Sequence, residues 1–117
     1  MSAPLHLYLH VPFCVRRCTF CNQKIYPATP ETCKAYANAL LAELEATAPD
    51  FSGDPVQTVY WGGGSPTALS QDDFARIMLR IRELFSLSAD TEVTVEALPT
   101  RVDASWMVAF QNTGFNR

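Results

Sequence analysis

The sequence has no run of basic residues, no long apolar stretch and no charged leader, and each absence removes a class of function. Nine basic against twelve acidic side chains leave a formal charge of −3, with a pI near 5.2. That balance offers no electrostatic footprint for nucleic acid or an anionic membrane. No uninterrupted apolar stretch approaches the roughly 18 residues that cross a bilayer. Met1-Ser2-Ala3-Pro4-Leu5-His6 has neither the charged region nor the apolar core of a secretory signal, so a cytoplasmic chain is expected. Charged residues are also sparse, at 18% against 48% hydrophobic. A disordered chain needs the opposite balance. Glycine is scarce, with five in 117 residues, yet three of them are consecutive.

Cysteine is present, but not as a secreted protein uses it. Of the four, Cys14, Cys18 and Cys21 fall within eight residues and Cys33 stands apart. Without a secretory signal a disulfide framework is not expected, and clustered thiols point to metal or redox chemistry.

Periodicity organises the rest. Leu5, Leu7, Leu9 and Val11 alternate with His6, Tyr8 and His10, which predicts a strand over about 5–11. A loop from Pro12 to Thr29 carries the clustered cysteines. Thr29-Pro30 reads as an N-cap and first helical residue; Tyr36, Ala37, Leu40, Leu41, Leu44 and Ala48 make one stripe, and Pro49 stops a helix over about 30–48. A β-branched and aromatic strand over about 56–61 runs into Gly62-Gly63-Gly64-Ser65-Pro66-Thr67. Ser70 opens a helix over about 71–86, with Asp73 as the second half of a weak capping box. Phe74, Ile77, Met78, Ile81, Leu84 and Phe85 form its core face. A strand over about 92–98, the breaker Pro99 and a helix over about 103–112 follow, with Gly114 at a C-cap position.

Strand and helix alternating in this way is the grammar of a parallel sheet with right-handed crossovers. An eightfold barrel uses about 31 residues per βα unit. At that rate 117 residues supply three units and the start of a fourth at Phe115-Asn116-Arg117. The expected fold is α/β: three N-terminal βα units of a partial TIM barrel, with residues 1–117 forming the N-terminal portion of a core domain and ending short of a whole barrel.

Cys14-Val15-Arg16-Arg17-Cys18-Thr19-Phe20-Cys21 is a C-x3-C-x2-C element on the loop after the first strand. In a parallel barrel that loop lies at the C-terminal face, where active sites gather. Three thiolates suit three corners of an iron–sulfur cubane and leave the fourth iron open. A structural zinc would need a fourth ligand from Cys33, His6 or His10; unliganded thiols are the remaining reading. The glycine run lets a strand end come close to a ligand, although alone it signals only a turn.

With these residues assembled, the chain resembles a family. C-x3-C-x-aromatic-C after a strand is similar to the radical S-adenosylmethionine (SAM) enzymes. Leu7 to Cys14, Val59 to Thr67, Val95-Glu96-Ala97 and Gly114 to Arg117, in that order, resemble the oxygen-independent coproporphyrinogen III oxidase branch. Heme chaperones and a class of radical SAM methyltransferases share that branch. The resemblance implies a [4Fe–4S] cluster on Cys14, Cys18 and Cys21, with SAM chelating the open iron and yielding a 5′-deoxyadenosyl radical upon reduction. It places Phe20 near the adenine, Tyr8 near the cluster-bound SAM, and Gly62, Gly63, Gly64, Ser65 and Glu96 against SAM. It implies an electron donor and a porphyrin, heme or other small-molecule substrate, while the charge balance and short apolar runs point to neither nucleic acid nor a membrane span.

One position departs from the pattern. Decarboxylating members carry a further cysteine two residues beyond the third ligand, where this chain has Gln23. That favours chaperone-like or methyltransferase-like relatives. Other residues have plainer readings: Glu96 as an exposed strand-end charge, His10 as a support for the cluster loop, Cys33 as a small core residue, Arg16 and Arg17 as solvated, and Trp61 as either barrel-lining or packing.

Overall fold

Alternating side chains and a proline-capped helix produce the first βα unit, and the pattern then repeats along the chain. The computed structural model describes residues 4–14, 26–51, 53–97 and 102–117. Strand β1 is Leu5–Val11, followed by the two-residue strands β2, Phe13–Cys14, and β3, Tyr26–Pro27. Helix α1 is Pro30–Thr47, β4 is Pro55–Gly63, α2 is Gln71–Leu84, β5 is Ser86–Val95 and α3 is Ala104–Thr113.

β1, β4 and β5 form one parallel sheet in that order. Leu9 and Val11, Val59 and Trp61, and Val93 send their side chains to the same face. There they pack with Cys33 and Ala37 of α1, Phe74, Ile77, Met78 and Ile81 of α2, and Trp106 and Phe110 of α3 in one cluster. All three helices therefore cover one side, as in a barrel wall. Trp61 is a packing residue: it is fully buried, its ring lies 4.3 Å from that of Phe74, and its Nε1 donates to Met78 Sδ at 3.3 Å. Cys33 is buried in this core, and burial pushes its thiol upward in pKa.

Caps fix the helix starts. Thr29 and Thr32 form a reciprocal capping box at 3.1 Å each way. At α2, Ser70 accepts from the Asp73 amide at 3.1 Å, but the reciprocal half expected of Asp73 is missing. Its buried carboxylate binds Lys34 at 2.7 Å and Arg76 at 3.1 Å, joining α1 to α2. Gly114 caps α3 at φ 91°, as expected.

Boundaries differ most at β5. It was expected over 92–98 but begins at Ser86, one residue after α2 gives way, and its strand geometry ends at Val95. Ser86 and Leu87 pair with Pro55 and Val56; then the ladder jumps to Glu92 opposite Thr58. Thr91 closes that excursion by donating to the Val56 carbonyl at 2.8 Å and accepting from the Ser88 amide at 2.9 Å. The α2 end, expected near 86, falls at Leu84 because Phe85 already has extended backbone. Helices α1 and α3 agree with expectation to within one residue at each end.

The tail occupies a fourth strand position. The Arg117 amide donates to the Val93 carbonyl and the Arg117 carbonyl accepts from the Val95 amide, both at 3.2 Å. This is the bond pair of a parallel bridge around Thr94.

Candidate functional site

Strand pleating assembles the site. Because Trp61 is locked into the core, its neighbour Tyr60 must face the other side of the sheet. Register then sets Tyr8, Tyr60 and Thr94 side by side, with His10 opposite Gly62. The Tyr8 and Tyr60 rings stack with centroids 5.9 Å apart and planes 20° from parallel. Glu96, just past β5, is pinned beside β4 by its amide, which donates to the Trp61 carbonyl at 2.9 Å.

Hydrogen bonds order these side chains. Tyr60 donates to Glu96 Oε1 at 2.8 Å, and the Tyr8 hydroxyl lies 3.0 Å from His10 Nδ1. The His10 carbonyl in turn accepts from the Tyr36 hydroxyl, which ties the end of β1 to α1. A Cβ added at Gly62 would lie 2.7 Å from Glu96 Oε1 and 2.9 Å from Tyr8 Oη. Side chains from β1 and beyond β5 thus converge over one glycine of β4. Desolvation, then the Glu96 charge, raises the pKa of Tyr8; the hydrogen bond to Glu96 is the main cause raising that of Tyr60. Both phenols stay protonated, and so remain hydrogen-bond donors, at neutral pH.

The predicted site residues separate into groups. Tyr8, Gly62 and Glu96 come together. Gly63 and Gly64 lie against the chain's own backbone: a Cβ at Gly63 would lie 2.6 Å from the Val11 carbonyl oxygen, and one at Gly64 2.5 Å from that of Phe13. The buried Ser65 hydroxyl pairs with Thr67 at 3.1 Å. Cys14 is described in its backbone, which pairs with Pro27 in the short β2–β3 ladder. That ladder brackets the segment holding Cys18, Phe20, Cys21 and Gln23, which lie outside the described residues, as do Arg16 and Arg17. Among the described residues, no group of three or more His, Cys, Asp or Glu side chains could hold a metal. Sequence reasoning missed Tyr60 as a site residue, although period-two alternation beside a core Trp61 was the signal for it.

Gly64, Ser65, Glu96 and Ala97 line a recess of about 90 Å³ at the strand ends. This is room for the amino-acid end of a ligand, not for a whole nucleoside. Two hollows are larger: about 490 Å³ between β1 and α1, lined in part by Tyr8 and His10, and about 720 Å³ between the starts of α1 and α2. Neither contains the Tyr60–Glu96 pair.

A sequence profile of the Radical SAM superfamily matches residues 8–117, and the chain belongs to that superfamily. Within it, the chain falls in the branch of the coproporphyrinogen oxidases and heme chaperones. It is 37% identical to oxygen-independent coproporphyrinogen III oxidase of Escherichia coli K12 over 97% of its own length and 25% of the relative's. It is 39% identical to anaerobilin synthase of Escherichia coli O157:H7, over 95% of this chain and 25% of that one. A heme chaperone of Escherichia coli K12 is 35% identical over 97% of this chain and 30% of its own. A solved structure of coproporphyrinogen III oxidase from Escherichia coli, described as a radical SAM enzyme, superposes with a TM-score of 0.93 at 37% identity. That match covers 99% of this chain and 27% of the other. The chain thus spans about a quarter of the length of the oxidase and synthase relatives. No described helix is long and apolar enough to cross a membrane.

Proposed function

We propose that this chain carries the cluster-binding loop and one wall of the SAM site of a radical SAM protein in the coproporphyrinogen oxidase-like branch. Cys14, Cys18 and Cys21 would hold a [4Fe–4S] cluster, and Glu96, Tyr8 and the strand end at Gly62 would receive SAM. The observation that carries the reading is the convergence of Tyr8, Tyr60 and Glu96 over Gly62, at the strand ends where β1 leads into Cys14. The residues fit the ligand. Glu96 supplies an acceptor for an amino or hydroxyl donor, and the recess beside it suits an amino-acid end. When bound, the two cofactors together supply one-electron cleavage of SAM. The chain's own residues orient SAM and place its polar groups.

The test is anaerobic reconstitution with iron and sulfide. Iron and acid-labile sulfide should bind in amounts that fall on replacing Cys14, Cys18 or Cys21 with Ala, and hold for Cys33→Ala, whose thiol is buried in α1. Zinc near one per chain without sulfide would overturn the assignment. A second reading, heme handling without porphyrin oxidation, is favoured by Gln23 in place of a further cysteine. Heme titration by absorbance, set against 5′-deoxyadenosine release, separates the two.

A further inference from the structure

We propose that Tyr60 is a positioning residue that fixes the Glu96 carboxylate for SAM; the proposal rests on the reading that Glu96 meets this ligand. A glutamate at a strand end is exposed and rotates freely, and ordering it upon binding weakens affinity. Here both partners are anchored before any ligand arrives. Tyr60 is set by the buried Trp61 beside it and by its stack on Tyr8. Glu96 is set by the hydrogen bond that its backbone amide donates to the Trp61 carbonyl. The phenol then holds Oε1 at 2.8 Å, so one carboxylate oxygen is tied to the sheet and Oε2 is left for an amino or ribose hydroxyl donor of SAM. The groups facing this pair are Tyr8 across the stack, His10 beyond it on β1, and Arg117 at the tail.

Two measurements on the 117-residue chain test the proposal. The first needs no cofactor: titration of the Tyr60 phenol by ring-labelled NMR. Glu96 holds that phenol above the ordinary tyrosine range, and Glu96→Gln should let it fall back. An unchanged titration would mean the contact does not exist in solution, and would overturn the proposal. The second is SAM binding by anaerobic equilibrium dialysis after reconstitution. Tyr60→Phe keeps the ring and its stack, so iron content and thermal midpoint should hold while affinity falls about three- to tenfold, the worth of one hydrogen bond. In the Glu96→Gln background the same change should cost little more, because the two residues act as a unit. Full additivity would mean that Tyr60 acts independently of Glu96, overturning the proposal. If Glu96→Gln weakens binding and Tyr60→Phe does not, positioning fails while the site reading stands. If neither variant changes affinity, both fail together.

Discussion

At Gly63 a methyl group would sit 2.6 Å from the Val11 oxygen and 2.9 Å from the Val11 nitrogen, on a backbone with φ of +107°. Backbone cannot step aside as a side-chain tip can. At Gly62 the nearest atoms are instead the ends of the Glu96 and Tyr8 side chains. The two adjacent glycines therefore predict different failures. Gly63→Ala should destabilise the fold by about 2–4 kcal/mol, through strain and overpacking where β4 lies against the end of β1. Cluster content should fall with it. Gly62→Ala should cost about 1 kcal/mol or less, keep the cluster, and lose SAM by displacing Glu96 and Tyr8. Urea midpoints and iron content per chain check both. Equal stability of the two variants would refute the assignment of Gly63 to strand packing.

Elements formed where local chemistry and tertiary packing agree. Thr29-Pro30, Ser70 and Gly114 marked helix ends correctly because caps are local hydrogen-bond chemistry. The first half of β5 was illegible: Ser86, Ser88, Ala89 and Asp90 have little strand preference, and Pro55 and Val56 of β4 supply the pairing from a distance. Asp73 was misread as half of a capping box because its partner, Lys34, lies 39 residues away. For the site, Gly62 and Glu96 were legible as strand-end residues and Tyr8 through the family resemblance, whereas the bond from Tyr60 to Glu96 depends on register, which a single strand does not encode. One element gives a pH prediction. Asp103 caps α3, and hydrogen bonds from Ser105 and the Trp106 amide hold its carboxyl below the ordinary 3.8. A depressed folded value means the cap contributes fully above that pH and fades as pH falls through the folded value. Amide protection at the start of α3, taken as exchange relative to the intrinsic rate at each pH, should fall on acidification below about pH 4. Asp103→Asn should remove that dependence while keeping a cap, and an unaltered profile would contradict the role.

For the molecule as a whole, the predicted barrel rhythm agrees with a sheet whose strands follow the order β1-β4-β5, and right-handed crossovers stepping always the same way put the described helices on one face. Across the sheet, Tyr8 is 58% and Tyr60 37% exposed, and β1 is an edge strand. Parallel sheets are ordinarily covered on both faces, and bare edges pair with other chains. The isolated 117-residue chain should accordingly self-associate with rising concentration in sedimentation velocity. A monomer at all concentrations would show that this face is adequately solvated. The opposite edge is treated differently, by Asn116. Its side-chain amide accepts from the Val93 amide at 2.9 Å and donates to the Thr91 carbonyl at 3.0 Å. A carboxamide has the same donor and acceptor as a peptide bond, so this one side chain stands in for a neighbouring strand just where the backbone of the tail arrives. The substitution indexes the alignment. Slipping the tail by one residue would offer Phe115 or Arg117 at that place, and neither has both a donor and an acceptor on its side chain. The added strand is thereby counted into place by a single amide before its main chain has made more than a few bonds.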